Sequence, residues 1–184
     1  MLSHEQRQAL MRIARQSVEA AVGGQRPQRV TMDDPQLAEH CGAFVTFKTR
    51  GRLRGCIGQF IADRPLYEVV QKMAIAAATE DPRFLDDRIQ PGEVAALEIE
   101  ISVLSPLKRT SDPLSLELGK HGIYVRKGYR AGCFLPQVAT ETGWSKEEFL
   151  SQCCGGKAGL APDAWRDPAT EVYLFTAEII EEDR

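Results

Sequence analysis

The segment Leu53-Arg54-Gly55-Cys56-Ile57-Gly58 carries the residue types best suited to chemistry. On a strand, alternation places Arg54 and Cys56 on one face, unless a bulge intervenes. A neighbouring arginine favours the thiolate, which is the nucleophilic form of cysteine, and glycines permit a close backbone approach. Cys56 is therefore a candidate nucleophile or redox thiol, and Arg54, Gly55 and Gly58 are candidate binding residues. Packing of Cys56 as a small apolar group stays open, because no histidine is close in sequence.

Two further segments could contribute polar groups to a site. His121, in Gly119-Lys120-His121-Gly122, is a candidate general base because histidine titrates near neutral pH, although a loop role is equally compatible with these residues. In Asp81-Pro82-Arg83-Phe84, Asp81 and Arg83 either pair with each other or present polar groups to a cleft. A proline after Asp81 favours an extended turn, so a purely structural role also stays open.

Composition and charge narrow the class of protein. Hydrophobic residues make up 43% of the 184, charged residues 27%, and the formal net charge is −3. These values are typical of a soluble globular protein, and no global charge attracts the chain to nucleic acid. The basic residues from Lys48 to Arg52 form either an anion or phosphate patch or a solvated hairpin tip, and we favour the hairpin tip. We therefore do not expect nucleic-acid binding, which combines basic residues with exposed aromatic ones.

The N-terminal residues and the cysteines bear on localisation and metal use. The start of the chain lacks a basic stretch followed by an apolar core, and no apolar run approaches the ~20 residues that span a bilayer. We therefore expect a cytoplasmic protein with no membrane association and with reduced thiols. The scattered histidines and the lack of a Cys-x-x-Cys pair argue against a metal site. The adjacent Cys153 and Cys154 are not expected to bridge, and we assign them no role.

Periodicity and turn residues predict the elements that position these side chains. Helices are predicted over residues 4–22, 65–79, 136–142 and from a capping box at Ser145 and Glu148 to about residue 154. Strands are predicted over residues 43–48, 52–59, 97–104, 122–126, 129–135 and 172–180. Hairpins outnumber strand–helix–strand units, which favours an α+β fold with a mainly antiparallel sheet and flanking helices. We expect a single domain over residues 1–184, with a possible smaller lobe near 45–90.

Several of these segments together resemble one known family, the AMMECR-one domain family, whose bacterial and archaeal members are called AmmeMemoRadiSam system protein A. The similarity runs from about residue 5 to 180. The segments that carry it, in order, are Leu53-Arg54-Gly55-Cys56-Ile57-Gly58, Asp81-Pro82-Arg83-Phe84, Glu100-Ile101-Ser102-Val103-Leu104-Ser105, His121-Gly122-Ile123, Gly132-Cys133-Phe134-Leu135-Pro136-Gln137-Val138-Ala139 and Lys157-Ala158-Gly159-Leu160.

The resemblance implies two unequal lobes with a cleft between them. It also implies two partners, a Memo-like protein and a radical S-adenosylmethionine enzyme, while the family's own reaction and cofactors are unknown. Two hypotheses follow. The first is an enzyme, or enzyme component, in which Cys56 supplies a thiolate to a small anionic substrate, Arg54 orients the anion and His121 transfers protons. The second is a non-catalytic adaptor that binds the two partner proteins.

Overall fold

The computed structural model describes residues 1–182, which form two compact units. One unit contains residues 1–104 together with residues 178–182, and the other contains residues 105–177. Residues 45–90, suggested above as a smaller lobe, lie inside the first and larger unit. The α+β class with antiparallel sheets is confirmed, whereas the cleft between lobes stays a prediction.

The first unit is a four-stranded sheet whose order is β2-β1-β3-β8, covered by two helices. The bounds of its elements are α1 His4–Val22, β1 Ala43–Thr49, β2 Arg52–Gln59, α2 Leu66–Thr79, β3 Glu98–Leu104 and β8 Ala177–Glu181. The helix α2 packs on β1 and β2, and α1 packs on α2 and β3. Val45, Phe47 and Ile101 are completely or almost completely buried in the resulting core.

A β-bulge in the first hairpin determines which residues of β1 and β2 lie opposite each other. Next to the Arg50-Gly51 turn, Lys48 pairs with Leu53, but Phe47 pairs with Gly55, so Arg54 is the extra residue. From there Thr46 lies opposite Cys56. The positive φ angles of Arg50 and Gly51, 52° and 74°, are those that a tight two-residue hairpin turn requires.

The second unit is a four-stranded sheet whose order is β4-β7-β5-β6. Its elements are β4 Lys108–Thr110, β5 Gly122–Lys127, β6 Arg130–Phe134, α3 Pro136–Thr142, α4 Lys146–Gln152 and β7 Glu171–Phe175. The predicted capping box of α4 is present, with Ser145 and Glu148 bonded reciprocally. The helix does not stop at Gly155-Gly156 as predicted, because a π-helical turn, Cys153–Lys157, continues it and buries Cys153 and Cys154 in the second core.

The predicted single strand over residues 172–180 is wrong. It is two strands, β7 in the second sheet and β8 in the first, separated at Thr176. Thr176 makes two hydrogen bonds with Ser105, both at 2.9 Å: its N–H donates to the side-chain Oγ, and its carbonyl oxygen accepts from the backbone N–H. The alternation of apolar and polar residues continues through this point, so the pattern could not reveal that the chain changes sheets.

None of the helices among residues 1–182 has the length and apolar character that crossing a bilayer requires.

Candidate functional site

Cys56 lies on β2, the strand at one edge of the first sheet, and its thiol is free and partly exposed. Thr46 lies opposite it on β1, and Thr46 Oγ1 donates a hydrogen bond to Cys56 Sγ over 3.1 Å. The thiol therefore lies at the surface of the sheet, beside a hydroxyl group, and is not sealed in the apolar core.

The backbone of Cys56 is held by the pair Asp81 and Arg83. Its N–H donates to Asp81 Oδ2 at 2.9 Å, and its carbonyl oxygen accepts from Arg83 Nη2 at 3.2 Å. Arg83 in turn donates to both carboxylate oxygens of Asp81, at 2.9 and 2.6 Å. An edge strand normally leaves such backbone groups unpaired, so this pair replaces a neighbouring strand at Cys56.

Asp81 is a buried, ionised carboxylate. It is only 3% exposed, and it also accepts the Arg83 backbone N–H, which caps the short helical turn Pro82–Phe84. The hydrogen bonds from the Arg83 side chain, followed by those from the backbone of Cys56 and Arg83, hold the pKa of Asp81 below its ordinary value, against the opposing effect of burial. The carboxylate therefore keeps its charge at neutral pH and anchors Arg83 beside Cys56.

Asp81 is hydrogen-bonded to only part of the Arg83 guanidinium. The Arg83 side chain is 54% exposed. Its pKa is raised chiefly by the hydrogen bond to Asp81, against the opposing effect of burial. The site thus combines a thiol with a fixed, partly exposed cation.

Arg54 was predicted to lie beside the thiol and orient an anion, but its guanidinium is bonded to other groups. It is the bulge residue, it is 7% exposed, and its Nη1 donates to Glu93 at 2.6 Å while Nη2 donates to the carbonyl oxygen of Asp87 at 3.2 Å. The hydrogen bond to Glu93 is the main reason that its pKa is raised. Arg54 therefore ties the segment around residues 87–93 to β2 through Nη1 and Nη2, whereas its buried Nε has no hydrogen-bond partner among residues 1–182.

Close packing explains why glycine occupies positions 55 and 58 of this segment. A Cβ atom on Gly55 would lie 2.0 Å from the carbonyl oxygen of Ala77 in α2, and one on Gly58 would lie 2.2 Å from the ring of Phe44. Gly55 therefore lets β2 and α2 meet backbone to backbone, and Gly58 makes room for an aromatic ring that also contacts Phe60 edge-on.

His121 belongs to the second unit, where it follows a turn before β5. Its Nδ1 accepts the backbone N–H of Glu117 at 3.0 Å, so the ring closes its own loop. This contact accounts for the loop role considered above, and proton transfer by His121 stays a prediction.

Burial affects the remaining thiols. It raises the pKa of Cys133 to about 11, and it also raises the pKa of Cys41, Cys153 and Cys154. These groups are neutral at pH 7, which makes them poor nucleophiles. No cluster of three or more histidine, cysteine or acidic side chains suited to a metal ion occurs in the described part of the chain.

Comparison with known proteins agrees with this fold. The family model described as AMMECR1 matches residues 11–180. The chain belongs to the AMMECR1 family. This is the family that the sequence motifs resemble, so that prediction is confirmed.

Several relatives in this family are archaeal proteins whose names give no activity. Protein TK0174 of Thermococcus kodakarensis is 44% identical over 185 residues, which cover 95% of this chain and 89% of that protein. A protein of Methanothermobacter thermautotrophicus is 41% identical over 189 residues, 99% of this chain and 97% of its own. The crystal structure of the uncharacterized protein PH0010 from Pyrococcus horikoshii matches with a TM-score of 0.85 at 40% identity, over 95% of this chain and 90% of that chain.

Proposed function

We propose that this AMMECR1-family protein is an enzyme, or the component of one, that acts on a small anionic substrate through Cys56. The observation that carries the proposal is the fixed arrangement of a partly exposed thiol beside Arg83, whose guanidinium is anchored by the buried carboxylate of Asp81. Such an arrangement supplies both a nucleophile and a binding group for negative charge.

In this proposal the roles are distributed differently from the sequence-based hypothesis. Arg83, not Arg54, binds the carboxylate or phosphate of the substrate, because Arg54 already donates to Glu93 and Asp87. The thiol of Cys56 releases its proton to solvent, and the sulfur lone pair then attacks a carbonyl carbon of the substrate held next to it. As the C–S bond forms, the carbon–oxygen π bond breaks, its electron pair moves to the oxygen, and that oxygen takes up a proton from solvent. Arg83 contributes by bringing the anion to the sulfur and by favouring the thiolate.

The test compares two alkylating reagents that differ in charge. Iodoacetate is an anion and iodoacetamide is neutral, and both attach a small group to a thiolate. The rate of reaction at Cys56 is mapped by peptide mass spectrometry for each reagent. We expect the ratio of the iodoacetate rate to the iodoacetamide rate to be about fivefold higher in the wild type than in Arg83→Gln, which corresponds to roughly 1 kcal/mol of screened attraction at short range. Raising the salt concentration should lower the ratio in the wild type.

Arg83→Lys is the matched control, because it keeps the charge and should keep most of the preference. Equal ratios in the wild type and Arg83→Gln would contradict an anion-binding role for Arg83. Failure of Cys56 to react with either reagent would contradict the proposal as a whole.

A binding role is the second candidate, and two exposed apolar side chains favour it. Ile61 is 72% exposed just after β2, and Leu85 is 45% exposed just after the turn that carries Arg83. Exposed apolar groups next to a sheet edge are suited to a protein partner. The candidates are the Memo-like protein and the radical S-adenosylmethionine enzyme. We expect co-purification with one of them to be lost in Ile61→Asp with Leu85→Asp, and unaffected by Cys56→Ser.

A further inference from the structure

Thr46 is a polar side chain buried in the middle of β1. It is 8% exposed, and its neighbours in sequence, Val45 and Phe47, are fully buried in the apolar core. Valine has nearly the same shape and suits a strand equally well, and a buried hydroxyl carries a desolvation cost. The hydroxyl is therefore the feature of this position that needs an explanation.

The partner of that hydroxyl is the sulfur of Cys56. Among residues 1–182, Thr46 Oγ1 donates one hydrogen bond, and its acceptor is Cys56 Sγ at 3.1 Å. A neutral thiol is a weak acceptor, whereas a charged acceptor forms a hydrogen bond about twice as strong. The buried hydroxyl is thus better satisfied when Cys56 is a thiolate, so it stabilises that form preferentially.

Strand geometry explains why the two side chains meet. The N–H and carbonyl of Cys56 face Asp81 and Arg83, away from β1, so Thr46 and Cys56 form a non-hydrogen-bonded pair. In antiparallel sheets these pairs bring side chains closer together than hydrogen-bonded pairs do. The bulge is essential, because without it Thr46 would lie opposite Gly55.

Charged groups around the pair come from three elements. Asp81 and Arg83 hold each other beside Cys56. On β3, Glu100 lies opposite Thr46 and is paired with Lys48 of β1 at 3.0 Å, and the register places Glu98 opposite Lys48. Arg83 offsets Asp81 and Lys48 offsets Glu100, which leaves the Thr46 hydroxyl as the group that donates a hydrogen bond to the sulfur.

We propose that Thr46 is a positioning residue that donates its hydroxyl to the Cys56 thiolate and holds the sulfur in its reactive form and orientation. The inference rests on the proposed function of Cys56 and extends it to a residue that does not touch the substrate.

The experiment measures the rate of Cys56 alkylation by iodoacetamide from pH 5 to 10 in the wild type, Thr46→Val and Thr46→Ser. In Thr46→Val we expect the rate at pH 7 to fall about tenfold and the midpoint of the pH–rate profile to rise by about one pH unit, the equivalent of one charge-assisted hydrogen bond. The plateau at high pH should equal or exceed that of the wild type, because a more basic thiolate is more nucleophilic. Thr46→Ser should stay within about twofold of the wild type, since it keeps the donor.

Thr46→Ala provides a second variant without the hydroxyl, in case Thr46→Val does not fold, and it should show the same shift of the profile. The inference is overturned if the profiles of these variants match the wild type, if the rates fall equally at every pH, or if Thr46→Ser behaves like Thr46→Val. The preference for iodoacetate separates the two proposals. Its absence in wild-type protein overturns the proposed role of Arg83, whereas an unshifted Thr46→Val profile with the preference intact overturns only the role of Thr46.

Discussion

The contact between β2 and α2 gives a sharp prediction for Gly55→Ala. The added Cβ would lie 2.0 Å from the carbonyl oxygen of Ala77, which is a backbone atom in the last turn of α2. Real Cβ atoms essentially never approach closer than 3.0 Å, so strand and helix would have to separate by about 1 Å. Ala74 and Ala77, 0% and 1% exposed, would then lose close contact with the sheet.

The cost of this separation can be bounded. Overpacking a core costs ~1–3 kcal/mol, and a clash with backbone lies at the upper end because no side-chain rotamer relieves it. About 3 kcal/mol corresponds to a fall in Tm of roughly 6–12 °C for a chain of this size. Thermal unfolding followed by circular dichroism measures it.

Gly92→Ala is the matched control, because a Cβ at Gly92 meets nothing within 4 Å, and its Tm should change little. Ala77→Gly combined with Gly55→Ala should not restore stability, because the obstacle is the carbonyl oxygen and not the methyl group. A Gly55→Ala protein whose Tm stays within about 2 °C of the wild type would refute the packing role of this glycine.

Three further predictions follow from the electrostatics of the two units. Because the pKa of Asp81 is lowered in the folded state, its carboxylate stabilises the fold fully above its ordinary pKa of 3.8, and this contribution is lost as the pH falls through the lower folded-state pKa. The free energy of unfolding should therefore fall less steeply with pH below pH 4 in Asp81→Asn than in the wild type. Glu93→Ala removes the main partner of the buried Arg54, and we expect it to lower the free energy of unfolding, measured in urea, by about 1–2 kcal/mol. This range allows for the partial exposure of Glu93. Asp63→Ala, which breaks an exposed pair, should have no measurable effect. Because its pKa is about 11, Cys133 should remain unlabelled by iodoacetamide at pH 7.5 in native protein and react only after denaturation, which peptide mapping can check.

Much of the fold could be predicted because local signals were strong. The cap at Ser145, the Arg50-Gly51 turn and the alternation of Glu98–Leu104 each determine an element through its own residues. The three-residue strand β4 had no such signal, because it is polar and lies at the edge of its sheet. The change of sheet at Thr176 was invisible for a different reason, since alternation is the same whichever sheet a strand joins.

The candidate site, like the fold, could be predicted only in part from the sequence. The segment around Cys56 and the pair Asp81 and Arg83 were found from residue types alone. The proposed binding role of Arg83 in place of Arg54, and the position of Thr46 opposite Cys56, depend on a one-residue bulge that the hairpin sequence does not reveal. Counting back from the turn without a bulge would have placed Thr46 opposite Gly55.

The proposed function is tested most directly by the fate of small molecules presented to the protein. Wild-type protein, Cys56→Ser and Arg83→Gln are incubated with a cell extract of metabolites, and mass spectrometry follows both the extract and the mass of each protein. We predict that the wild type consumes an anionic compound or carries it covalently on Cys56, that Cys56→Ser does neither, and that Arg83→Gln does so more slowly. Equal consumption by the wild type and Cys56→Ser, or no change in any anionic compound with the wild type, would contradict the proposal.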